Sequence, residues 1–197
     1  MLATKPQERF VYFWGSPGSG RSHLLKAMVD AFRRQHLSAS YICCSQDSEF
    51  APVPEQPDAL GVDDVERLGG NAQIALFNLY NDIREGPGML LVSGAMPPAQ
   101  LKLREDLVTR LGWGLVFQLH GLKDEEKTQA LKTHARNRGF ELPQEAADYL
   151  LRHGRRDMPS LLAVLDALDN YSLRTKRPVT LPLLREIMQA QLFPGGE

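Results

Sequence analysis

Apolar residues run unbroken from Phe10 to Trp14 (Phe-Val-Tyr-Phe-Trp), stop at a Gly/Ser/Pro cluster, and return in an amphipathic pattern from Ser22 to Gln35. A short aromatic and β-branched block followed by helical periodicity predicts strand, tight loop and helix. Ser40 to Cys44 predicts a second strand, and the three prolines Pro52, Pro54 and Pro57 predict irregular chain up to Asp58. Ala59-Leu60-Gly61-Val62-Asp63 reads as a third strand, weakened in its middle by Gly61. Ile74, Leu76, Phe77 and Tyr80 lie at helical spacing between Asn71 and Arg84, Met89 to Ser93 forms a fourth strand, a short helix passes through Leu107 and Leu111, and Leu115-Val116-Phe117 forms a fifth strand. Continuously apolar strands alternating with helices predict a parallel sheet covered on both faces. Beyond Gly121 every periodic segment is helical: Lys123 to Arg138, Pro143 to His153, Asp157 to Lys176 and Leu181 to Gln191. The expected organisation is therefore an α/β domain over 1–120 and a small all-helical lid over 121–197.

Composition narrows the class. With 197 residues, 43% hydrophobic and 24% charged, the chain is long enough for a full core plus a small lid. A formal charge of −1 argues against a broad basic surface for nucleic acid. The two cysteines, Cys43 and Cys44, are neighbours in an apolar run, a poor spacing for a disulfide or metal site, and are expected to be reduced and buried. The polar start from Met1 to Arg9 resembles no secretion signal and no stretch approaches a membrane span, so the expected location is the cytoplasm.

The chemistry concentrates in Gly15-Ser16-Pro17-Gly18-Ser19-Gly20-Arg21-Ser22, which fits the phosphate-loop pattern G-x-x-x-x-G-K-[ST] at every fixed position but one, where Arg21 replaces lysine. Glycines let successive backbone N–H groups face phosphate oxygens, and the helix that follows adds its positive end. Ser22 would offer its hydroxyl to Mg²⁺. A nucleophile elbow is excluded, because none of Ser16, Ser19 and Ser22 has glycines both two before and two after it. The Asp63-Asp64 pair closes a strand, as phosphate-loop chemistry requires: Asp63 would face the metal and Asp64 would orient or deprotonate water.

Phe13-Trp14-Gly15, Gly20 to Leu25 (with His23), Val62-Asp63-Asp64, Pro97-Pro98 and Leu107 to Gly114 together resemble the AAA+ module of the DnaA replication-initiator family, over about Arg9 to Gln191. Within it the chain is most similar to the Hda-type regulatory inactivators of DnaA, which share the arginine in the loop and the run Arg138 to Pro143. The resemblance implies a five-stranded parallel AAA+ sheet in the order 5-1-4-3-2 with helices on both faces, followed by a helical lid. It implies ADP or ATP with Mg²⁺ in the loop, Ser93 near the sensor-1 position, and Arg110 as an arginine finger offered to a neighbouring molecule's nucleotide. DnaA and the polymerase sliding clamp (its β subunit) are the implied partners. A homo-oligomer is allowed for, and neither sequence-specific DNA binding nor membrane association is implied.

Three departures count against hydrolysis by the chain itself. Arg21 is a wide planar fork where the family usually carries a compact ammonium. Pro159 stands at the usual sensor-2 arginine position, with Arg155 and Arg156 just before it. About nine residues precede Phe10, so the wall around the base is expected to be short. The tail reads Gln189-Ala190-Gln191-Leu192-Phe193, similar to the clamp-binding pattern Q-x-x-L-F, in which an extended peptide inserts Leu192 and Phe193 while Gln189 sets the register. Two functions are carried forward: a clamp-tethered stimulator of ATP hydrolysis on DnaA, and a non-catalytic adaptor with a degenerate nucleotide site.

Overall fold

The computed structural model describes residues 6–44 and 57–192. Most of the proline-rich stretch and Phe193 lie outside the described residues. The chain divides into two compact units, Met1–Gly121 and Leu122–Glu197.

In the first unit, five strands, β1 (Phe10–Trp14), β2 (Ala39–Cys43), β3 (Ala59–Asp63), β4 (Met89–Gly94) and β5 (Leu115–Gln118), form one parallel sheet in the order β2-β3-β4-β1-β5. Helix α1 (Arg21–Arg34) packs its buried Leu25 and Val29 on one face, against β2, β3 and β4. Helices α2 (Gly70–Glu85) and α3 (Glu105–Leu111) cover the other. The inward stripe of α2 is Ala72, Leu76, Tyr80 and Ile83, spaced three and four apart. Ile74, counted above with that stripe, is 43% exposed, because it falls on the opposite side of the helix. The Arg9 guanidinium donates to the carbonyls of Ile83, Arg84, Gly86 and Gly88, and so holds the C-terminal end of α2.

Two other expectations change. Gly61 does not weaken β3, every residue of which is buried. A Cβ there would stand 2.8 Å from Val29 Cγ2 and 3.4 Å from Leu25 Cγ, so the glycine is what lets α1 lie against the strand. Nor is the sheet covered evenly: Leu115, Val116 and Phe117 of the edge strand β5 are 39%, 40% and 47% exposed. Cys44 is buried as expected, but Cys43, which ends β2, is exposed.

The second unit contains α4 (Asp124–Asn137), α5 (Gln144–His153), α6 (Met158–Thr175) and α7 (Leu181–Leu192). Its own core is leucine-rich, with Leu131, Leu150, Leu161, Leu165, Leu168 and Leu184 fully buried. Asp157 caps α6 by accepting the Ser160 N–H at 2.9 Å, and Pro159 sits in the first turn, where no helical N–H is lost. Among the described residues no helix is long and apolar enough to cross a membrane.

Candidate nucleotide site

Because β4 lies between β3 and β1, the carboxyl ends of three strands emerge side by side, the place where open parallel sheets take ligands. The loop that leaves β1 enters α1 at Arg21. Gly18 and Gly20 hold φ of 82° and 92°, a left-handed backbone that costs an L-residue about 1–2 kcal/mol. Ser19 N–H turns back to Ser16 C=O at 3.0 Å. No described side chain caps α1, so its first N–H groups face outward beside a half-buried Ser19. Ser16, Pro17, Gly18, Gly20 and His23 are exposed.

Asp63 ends β3, and is 1% exposed. Its Oδ2 accepts the Tyr41 hydroxyl at 2.6 Å, its Oδ1 accepts the Ser93 hydroxyl in a very short bond, and Ser22 bonds the same carboxylate. Burial alone would raise the Asp63 pKa. The hydroxyls of Ser22, Ser93 and Tyr41, with the Arg21 charge, outweigh it and hold the group below the usual carboxylate range. For Tyr41, burial and then the bond to Asp63 push the phenol well above its ordinary value, so it remains a proton donor. Ser93 also accepts the Asp64 N–H at 3.2 Å, tying β4 to the acidic pair.

Asp64 faces two arginines. Its Oδ1 lies 3.3 Å from Arg21 Nη2 and its Oδ2 lies 3.8 Å from Arg67 Nε. Arg21 Nη1 is 3.9 Å from Glu66 Oε1, and Glu66 Oε2 accepts the Ala95 N–H at 3.1 Å. The loop arginine is thus folded onto the strand-end acids. Ser19 Oγ and Arg21 Nη1 are nevertheless buried without a hydrogen-bond partner among the described residues, and both belong to the loop Gly15 to Ser22. Two unused buried donors beside outward N–H groups fit an anion such as a nucleotide phosphate. The acids suit Mg²⁺ less well, since every carboxylate oxygen of Asp63 and Asp64 already has a hydroxyl or guanidinium neighbour. The Cys43 thiol lies with these two carboxylates in a group whose ligand atoms are all within 4.8 Å of one another.

Tyr41 and Glu66 are the residues that sequence reasoning missed. Tyr41 reads as one more aromatic strand residue, and Glu66 lies in a single 3-10 turn (Val65–Arg67) with no periodicity to mark it.

Arg110 stands apart from this cluster, near the end of α3. Its guanidinium lies 5.8 Å and 5.7 Å from the ring centres of Phe77 and Tyr80, half-buried, with no carboxylate partner among the described residues. In the helical unit, Arg156 pairs with Asp124 at 2.7 Å and Arg155 with Asp157 at 3.4 Å. Gln189 is exposed on α7, which continues through Leu192.

Residues 124–188 match the family model described as "Hda, lid domain". The helical unit is an Hda lid. The fold of the chain agrees with that of solved structures. Domain III of the Thermotoga maritima initiation protein DnaA is 19% identical with a TM-score of 0.75, covering 93% of this chain and 85% of that one. AMPPCP-bound DnaA from Aquifex aeolicus is 22% identical with a TM-score of 0.67, covering 80% of this chain and 54% of the other, so this chain spans about half its length. The T. maritima Holliday junction branch-migration motor RuvB is 16% identical with a TM-score of 0.65, covering 92% of this chain and 61% of that one. At these identities the likeness is one of fold, and the fold is the AAA+ α/β unit followed by a helical lid. The chain thus joins an α/β unit of the AAA+ fold to an Hda lid.

Proposed function

We propose that this Hda-type chain restrains replication initiation by promoting hydrolysis of the ATP bound to DnaA, with Arg110 supplied in trans. The observation that carries this reading is the state of Arg110: a permanent cation, half-exposed, held over two aromatic rings and unmatched by any described acid. A cation kept free of carboxylates can neutralise charge that develops on another molecule's phosphates. Arg21, by contrast, is occupied by Asp64 and Glu66, which counts against hydrolysis at the chain's own loop. That loop binds nucleotide phosphate through its backbone N–H groups, Ser19 and Arg21. The AMPPCP held by the Aquifex DnaA supports a nucleotide site in this fold.

Gln189, Leu192 and Phe193 are the segment by which the chain attaches to the sliding clamp. Gln189 to Leu192 form the last turn of α7, so extended binding of the peptide comes with unwinding of that turn.

Single-turnover hydrolysis of DnaA-bound ATP, with clamp present, tests the central claim. Arg110→Ala should lose most of the stimulation, by analogy with other trans-acting arginines about 10³-fold or more. Full stimulation by the variant would remove Arg110 from the mechanism. Replacing Leu192 and Phe193 with alanine should abolish clamp association in surface plasmon resonance, whereas unchanged binding sinks the tail assignment.

A further inference from the structure

We infer that Arg21 takes over the charge-neutralising part that a phosphate loop ordinarily leaves to magnesium, so that this site holds a nucleotide's phosphates without a metal ion. The inference rests on the reading of Gly15 to Ser22 as a nucleotide site.

The donor set is the starting point. Magnesium asks for six oxygen ligands at about 2.0–2.1 Å in near-octahedral array and gives up its waters reluctantly. Asp63 and Ser22, the natural candidates, are bonded to each other. Ser93 and Tyr41 take the Oδ1 and Oδ2 atoms of Asp63, and Arg21 and Arg67 stand against those of Asp64. A cation that coordinates these oxygens directly has to compete with a hydroxyl or a guanidinium already in place.

Arg21 delivers positive charge to the same spot permanently, since a guanidinium does not lose its proton in a protein. Its side chain is 10% exposed. One end rests on Asp64, while Nη1, 3.9 Å from Glu66 Oε1, is buried without a hydrogen-bond partner among the described residues. Five N–H donors in a fixed fork allow it to keep the acid and still offer N–H groups to phosphate, a division of labour that a single ammonium cannot reproduce. The second buried donor without a partner, Ser19 Oγ, lies two residues away in the same loop. The substitution that breaks the phosphate-loop pattern is therefore the one that makes the metal dispensable.

Calorimetric titration of the full chain with ADP, once in magnesium and once in EDTA, decides the matter. The expected Kd differs between the two buffers by less than about tenfold, which corresponds to 1.4 kcal/mol. Arg21→Lys should lose more than that factor in EDTA and recover affinity when magnesium is added. The inference is overturned if the unaltered chain loses more than tenfold on chelation, a comparison that needs no variant. It is also overturned if folded Arg21→Lys, checked by circular dichroism, binds equally well in EDTA. Absence of ADP binding in both buffers would remove the nucleotide-site reading along with it, and is distinguishable from magnesium-dependent binding.

Discussion

Arg21 and Arg110 carry the same charge into opposite surroundings, one folded onto acids and the other resting on aromatic rings. The second arrangement contributes little to stability, about 0.5–1 kcal/mol for a cation over a ring near the surface. Arg110→Ala should therefore leave the melting temperature nearly unchanged while removing the proposed stimulation of ATP hydrolysis on DnaA, a split that a merely structural residue would not give. The cysteines make another contrast. Burial, and then the negative groups around it, push the Cys44 thiol up to about 12, whereas Cys43 is exposed. Brief treatment of the native chain with iodoacetamide should add one label, at Cys43, as read by peptide mass spectrometry. Two labels at equal rates would contradict the burial of Cys44. At Gly61 even one methyl group is too many: Gly61→Val should cost about 1–3 kcal/mol in urea unfolding, because the side chain collides with Val29 and Leu25.

At the scale of elements, helix α6 tests a cap. The Asp157 carboxylate is held below its ordinary range by its bond to Ser160 and by Arg155. For a carboxyl whose folded pKa is depressed, the stabilisation is present above the unfolded value and fades as pH falls through the folded one. Acidification below the usual carboxylate range should thus loosen the start of α6. Asp157→Asn should retain the cap and lose its pH dependence, as followed by helical circular dichroism between neutral and acid pH. These elements were largely legible in the sequence, since the Phe10–Trp14 block, the glycines of the loop and the leucines of the lid carry their periodicities openly. Legibility failed where partners come from distant elements. Nothing near Tyr41 in the chain points to Asp63, twenty-two residues on, and nothing local says that Arg21 will turn toward Asp64 rather than outward. Gly61 was misread for the same reason, because its justification lies on α1 and not in its own strand.

The whole molecule has two compact units, each with its own buried apolar residues, and its tryptophans, Trp14 and Trp113, both lie in the first unit. Tryptophan fluorescence therefore follows the α/β unit, while far-ultraviolet circular dichroism is weighted by the lid helices. Leu165→Ala, at a fully buried lid position, should destabilise the lid by about 2–5 kcal/mol, so that the dichroism transition in urea moves ahead of the fluorescence transition. Coincident transitions would mean that the two units unfold as one. The uneven cover of the sheet has a colloidal consequence. An edge strand that offers both its backbone and the side chains of Leu115, Val116 and Phe117 is a template on which a second strand can condense. As concentration rises, the solubility ceiling of the protein is then set at β5, and a single lysine at Val116 would act as the gatekeeper that lifts it.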